Sequence, residues 1–155
     1  MRRRLFPALA LAGVVLLSGC GAHPFGNPTA SQHTVQSIPR VSVMTVGGKT
    51  VHVYAVFATD KARAHGLMDT TLPADSGAVF TWDGATAQEA FWMFHTPEPL
   101  SLVWIRAGRI VGHVEMVQCS LSCPTYNPPG PYDTAVEANA GTFAHVVRGE
   151  AVTFR

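Results

Sequence analysis

Phe91-Trp92-Met93-Phe94-His95-Thr96-Pro97-Glu98-Pro99-Leu100-Ser101-Leu102-Val103-Trp104-Ile105 is the densest apolar and aromatic run in the chain beyond its leader. A Thr-Pro-Glu-Pro break divides it into two segments, each too short for a helix, and proline stops a helix from crossing the break. Two strands meeting at a rigid extended corner are expected. Trp92 and Trp104, two of the three tryptophans, lie here, which places the centre of the fold in this run.

Outward from that centre, the pattern is of short strands with frequent turns. On the N-terminal side, Val41, Val43 and Thr45 alternate with other residues up to Gly47-Gly48. Val51, Val53, Ala55 and Phe57 alternate after it, which predicts a β-hairpin. Thr59 is a good N-cap, Asp60 suits a first turn, and Gly66 can end a short helix. Ala78 to Trp82 reads as a strand. On the C-terminal side, Ala107-Gly108 is a turn and Arg109 to Val117 a strand. Alternation puts Ile110, Gly112, Val114 and Met116 on one face, and Val111, His113, Glu115 and Val117 on the other. A proline-rich loop runs from Cys119 to Tyr132. Thr134 to Ala138 and Ala151 to Phe154 are further strands, with a helical turn over Thr142 to Val146 between them. The expected fold is mainly β: a compact, single-domain sandwich or barrel with one or two short helices.

The first twenty residues have a different composition. Arg2, Arg3 and Arg4 precede an apolar stretch from Leu5 to Leu17, and Leu17-Ser18-Gly19-Cys20 follows. An apolar stretch this short is a signal-peptide core, since a spanning helix needs about 20 residues. Small residues before a cysteine resemble the bacterial lipobox. That resemblance implies a signal peptide over residues 1–19, cleavage before Cys20, and acylation of Cys20 as a lipid anchor on the extracytoplasmic side of a bacterial membrane. Gly21 to Arg40 is polar and aperiodic and reads as a tether, spanning on the order of 25 Å as a random coil. The folded domain then covers residues 41–155. The whole chain has 11 Lys+Arg and 10 Asp+Glu. Loss of three arginines with the leader leaves 8 basic against 10 acidic residues, a net charge of −2 with neutral histidines. With no basic run either, nucleic acid is a poor partner.

The order of motifs carries a resemblance. Arg63-Ala64-His65-Gly66-Leu67-Met68 is followed by Phe91-Trp92-Met93, Thr96-Pro97 and Pro99-Leu100. Gly108-Arg109-Ile110-Val111 comes next, then Cys119, Cys123-Pro124-Thr125-Tyr126, Gly130-Pro131 and Ala135-Val136-Glu137-Ala138-Asn139-Ala140-Gly141. The chain resembles the small bacterial and archaeal family catalogued as domain of unknown function number 192. The resemblance implies a compact, mainly β domain and no particular reaction. This chain has Phe94-His95 where family members often carry Lys-Asn, and Ser101 where they often carry Asp. The family motif also joins an arginine of the first helix to a glutamate of the last long strand, here Arg63 and Glu137. That pair is either a structural clamp or the floor of a binding site.

The candidate ligand-binding residues are Arg63, Glu137, Asn139, Tyr126 and Trp92. Glu137 lies in an otherwise apolar strand and, if buried, needs a partner. Asn139 shares its strand face, although a turn or cap role also suits it. Trp92, Trp104, Tyr126 and Tyr132 could offer an apolar platform to a flat ligand; core packing is the expected role of the tryptophans, and the two tyrosines are the better candidates for exposed contacts. Cys119 and Cys123, an even pair in an exported chain, are expected to form a disulfide that staples the proline-rich loop. The loop-entropy model gives about 2 kcal/mol for so small a ring. Their three-residue spacing differs from the two of thioredoxin-type redox motifs. His113 and Glu115 share a strand face, but no HxH or HExxH spacing accompanies them, so no metal or other cofactor is expected.

The chain has no GxSxG, phosphate loop or zinc signature. The leading expectation is a non-catalytic domain that binds a small molecule, glycan or envelope protein. The alternative is a cell-envelope hydrolase using Glu137 as general base, which requires Glu137 in a cleft with a raised pKa and a partner within hydrogen-bond reach.

Overall fold

The structure is a computed structural model that describes residues 42–155. The expected signal peptide, the anchor Cys20 and the tether lie outside the described residues. Those residues form nine strands and one helix: β1 (Val43–Val46), β2 (Lys49–Phe57), α1 (Asp60–His65), β3 (Ser76–Thr81), β4 (Phe91–Trp92), β5 (Leu100–Arg106), β6 (Arg109–Met116), β7 (Thr125–Tyr126), β8 (Thr134–Asn139) and β9 (Val152–Phe154). Seven strands make one sheet in the order β6-β5-β8-β3-β2-β1-β9, and β4 pairs with β7 in a separate two-stranded ribbon.

The hairpin between β1 and β2 forms as its sequence predicts. Gly47 and Gly48 both have positive φ, 57° and 71°, the backbone that a tight two-residue hairpin turn requires. The step from β2 to β3 is a parallel crossover through α1, a topology that strand alternation alone does not reveal. The helix begins where Thr59 Oγ1 accepts the Ala62 amide at 3.2 Å, and ends at Gly66, whose N–H donates to the Ala62 carbonyl.

The sheet curls. Its edge strands β6 and β9 are joined by a bridge between Arg109 and Ala151, and hydrogen bonds from Ile110 N to Glu150 O (2.9 Å) and Val152 N to Gly108 O (2.8 Å) extend the closure. Of the two architectures expected, the barrel-like one is therefore found. Inside the curl lie Met44, Val51, Val103, Ile105, Val136, Phe143 and Val152. Against the other face of β3, β5 and β8 pack Leu67, Phe91, Met93 and Tyr132, around Phe80, Leu102, Trp104 and Ala135 of the sheet. Central strands buried on both faces account for the near-continuous apolar runs in β3 and β5.

The structure corrects four expectations. The first half of the central run is a strand for two residues only, and it pairs in the small ribbon instead of the main sheet. In β6 a bulge opposite Trp104 and Ile105 breaks the alternation, so Ile110 faces the barrel interior while Met116 faces the outer core. Tyr132 is fully buried, and its hydroxyl donates to the Glu89 carbonyl at 2.9 Å, so it is not an exposed contact. Trp104 is a core residue as expected, at 2% exposure, whereas Trp92 is 49% exposed.

The outer layer is held by a few polar contacts. Glu98, in the proline corner, accepts the Leu72 amide at 2.6 Å. The Cys119 and Cys123 sulfurs are bonded, with Cα atoms 5.5 Å apart. Pro129 of the proline-rich loop lies flat on Gly112 of β6, where an added Cβ would meet Pro129 Cγ at 2.5 Å. Gly112→Ala is therefore expected to cost about 1–3 kcal/mol by lifting the loop off the sheet. An unchanged urea midpoint would show that this contact contributes nothing.

Candidate ligand-binding site

A cavity of about 310 Å³ lies between α1, the end of β3, the segment around β4, and β8. Glu137 forms its floor. Alternation along β8 sends Val136 and Ala138 into the barrel interior and Ala135 and Glu137 to the opposite face. The cross-strand neighbours of Glu137 are Ala78 on β3 and Leu102 on β5, neither of which can hydrogen-bond a carboxyl through its side chain. Glu137 is 4% exposed, and no described residue hydrogen-bonds or ion-pairs with its carboxyl. Burial alone raises its pKa from 4.5 to about 8. At neutral pH the group is chiefly a carboxylic acid, able both to donate and to accept.

Arg63 reaches the same cavity from α1, but its hydrogen bonds go elsewhere. Nη1 donates to the carbonyls of Ala58 and Thr81, both at 2.7 Å, and Nη2 donates to Asp60. The guanidinium lies 4.8 Å from the Trp82 ring centroid. It ties the helix to the end of β3 and makes no ion pair with Glu137. The pairing implied by the motif order is thus replaced by co-location: both residues line one cavity, each with different surroundings.

The other candidates divide. Trp92 lines the cavity at its lip, stacked on Phe94 with centroids 5.1 Å apart. Asn139 does not line it. Its Oδ1 accepts the Ser76 amide (3.3 Å) and its Nδ2 donates to the Leu72 carbonyl (3.4 Å), which fixes the loop before β3. Tyr126 is also elsewhere; its hydroxyl accepts the Val117 amide at 3.0 Å. Ser101 is buried on the barrel side, donating to Glu115 and accepting the Phe143 amide at 3.1 Å. Glu115 also accepts the Gly141 amide, so it serves the strand ends. Among the described residues, no group of three or more His, Cys, Asp or Glu is placed to hold a metal ion.

Sequence reasoning missed Asp60, Trp82, Glu89, Phe91 and Phe94 at the cavity; Tyr132, named as a possible ligand platform, does line it, but as a buried wall residue. For Asp60 a signal existed, since Asp60, Arg63 and Ala64 follow the i, i+3, i+4 spacing of one helix face. Glu89 stands in a connector without periodicity, and only the fold brings it near. Tyr132 is held protonated by burial first and then by the charge of Glu89, with Arg63 opposing.

The raised pKa of Glu137 has a consequence for stability. In the unfolded chain the carboxyl ionises near 4.5, and in the native state near 8. Between these values the unfolded state binds fewer protons, so this group's contribution is full below about pH 4.5 and is lost as pH rises through 8. The loss reaches roughly 3 kcal/mol at pH 7. Glu137→Gln removes it. The variant is expected to unfold at higher urea than wild type at pH 7.5 and to match it at pH 4.5. A variant less stable at both pH values would mean that the carboxyl has a structural partner.

A family profile for DUF192, described as an uncharacterized ACR, matches residues 42–154. No curated protein matches the chain. Two crystal structures are similar. One is a protein of unknown function from Novosphingobium aromaticivorans DSM 12444, with a TM-score of 0.62 and 22% identity, covering 72% of this chain and 82% of that one. The other, from Sinorhizobium meliloti 1021 and described provisionally as a transcription regulator, has a TM-score of 0.62 and 23% identity, covering 72% of this chain and 90% of that one. At these identities the likeness extends to the fold alone. With the profile spanning the whole of the curled sheet and its outer layer, the chain belongs to the DUF192 family.

Proposed function

We propose that this protein is a lipid-anchored extracytoplasmic domain that binds a small ligand in the Glu137 cavity without transforming it. The observation that carries the reading is the floor of the cavity, where a buried carboxyl has no partner among the described residues. Buried polar groups are otherwise almost always hydrogen-bonded, so a carboxyl left open into a cavity suits a partner from outside the chain. At about 310 Å³ the cavity sits at the small end of the range for ligand pockets, which favours a ligand of modest size over a protein segment.

The hydrolase alternative draws support from the same group, since a carboxyl titrating near 8 suits a general acid or base. It also needs a histidine or other partner within hydrogen-bond reach of Glu137; His65 lines the same cavity, but no described residue hydrogen-bonds or ion-pairs with the Glu137 carboxyl. Binding without chemistry is the better reading.

A thermal-shift panel on the full-length protein tests it, with sugars, peptidoglycan fragments, amino acids and amines. A ligand is expected to raise the wild-type melting temperature, and Ala64→Trp, which adds an indole at the exposed lip, is expected to abolish the rise. If no compound shifts the wild type, the cavity has no small ligand of these classes, and a protein partner becomes the better candidate. The anchor is tested separately. Cys20→Ser is expected to move the protein from the membrane fraction to the soluble one, and an unchanged distribution would remove the lipoprotein assignment.

A further inference from the structure

We propose that the cavity selects a small organic cation, an alkyl- or arylalkylammonium, whose charged head pairs with Glu137 while its apolar body lies among the aromatic walls. This rests on the binding reading above and specifies its ligand class.

Three observations converge. The first is the aim and isolation of the Glu137 carboxyl, which is nearly inaccessible from bulk solvent and borders the cavity. An ammonium is the ligand group that gains most from such a carboxyl, because pairing occurs where little water screens it. The second is the balance of the surrounding charge. Asp60 and Arg63 face the cavity from α1 and bond each other, and both Nη1 hydrogens of Arg63 are taken by main-chain carbonyls. Glu89 adds a further acid beside β4, His65 stands at the lip, and Tyr132 donates its hydroxyl proton to the Glu89 carbonyl. A ligand anion would meet the acids Asp60 and Glu89 and one arginine, three of whose five N–H donors are already used. The third is the wall. Phe80 and Phe91 meet edge to face at 5.1 Å, Trp82 carries a cation over its ring already, and Trp92 stacks on Phe94 at the mouth. Aromatic faces attract cations through their ring quadrupoles, and quaternary ammonium ligands are held by such surfaces.

The pairing has a proton balance. The acid form of Glu137 gives its proton to solvent as the ammonium enters, so one carboxylate–cation pair forms for each proton released.

Calorimetry on the full-length protein with benzyltrimethylammonium, whose charge is permanent, tests this, with phenylacetate and benzyl alcohol as anionic and neutral counterparts. A carboxyl titrating near 8 is protonated in about nine molecules of ten at pH 7, so binding in buffers of different ionisation enthalpy is expected to release about 0.9 proton. Affinity is expected to rise roughly fivefold from pH 7 to pH 8, a range in which an ordinary histidine is already mostly neutral. Glu137→Gln, isosteric with the acid form, is expected to bind about tenfold more weakly or worse and to release no proton. Trp92→Ala is expected to weaken binding several-fold while keeping the proton release. Equal or tighter binding of phenylacetate or benzyl alcohol overturns cation selection and leaves small-ligand binding standing. Full affinity in Glu137→Gln overturns the assignment of the pairing to that residue. Failure of all three probes, together with a silent thermal-shift panel, overturns both readings.

Discussion

The fold depends on one constraint: β8, with its neighbours β3 and β5, must be buried on both faces at once. Its inward residues Val136 and Ala138 complete the interior of the curled sheet, and its outward residue Ala135 meets Phe80, Trp104 and Tyr132. Side chains alternate along a strand, so a slip of one residue would exchange the two sets and turn Glu137 into the barrel. The interior leaves no room for that. Gly77, beside Ala138 on β3, sits where an added Cβ would meet the Glu137 carbonyl at 2.9 Å and Val51 Cγ1 at 3.0 Å. Double burial thus sets the register of three strands, and the register sets where the carboxyl points.

Around the cavity, hydrogen bonding is distributed unevenly. The lip is tied down by Arg63, which links α1 to the carbonyls of Ala58 and Thr81 and lies on Trp82. Behind it, Asn139 and Glu98 fix the loop that leads into β3. The floor carries no such bonds. A shape held by its rim and backing, with an uncommitted polar group at its base, can receive a ligand without rearranging its own backbone, which lowers the ordering cost of binding. The fold tolerates Glu137 there because the acid form is neutral, and a neutral buried carboxyl costs far less than an ionised one.

Much of this architecture is legible in the sequence. The Gly47-Gly48 hairpin, the Thr59–Gly66 helix and the strands on either side of Ala107-Gly108 follow from local rules, because turns, caps and alternation are decided by neighbours in the chain. Curling into a barrel, the β2–β3 crossover and the bulge in β6 are set by contacts between distant segments, and no window of residues contains them. The site divides in the same way. Glu137 stands out as an acid in an apolar strand, and Arg63 by its place in the motif order. Their lack of a direct bond is invisible in sequence, since it arises from carbonyls at Ala58 and Thr81 that compete for the guanidinium. Asn139 looked like a site residue because it shares a strand with Glu137, yet the Ser76 and Leu72 main chain reaches it first.

The meeting of β6 with β9 bears on how copies of this domain behave beside one another. An open sheet ends in rows of unpaired amides and carbonyls that can template a strand from a second molecule. Here one edge strand is three residues long, and the other is bridged at Arg109 and overlaid by Pro129 at Gly112. Little uninterrupted backbone is left for a neighbouring chain to zip onto. Copies at high concentration therefore have little open strand edge through which to polymerise.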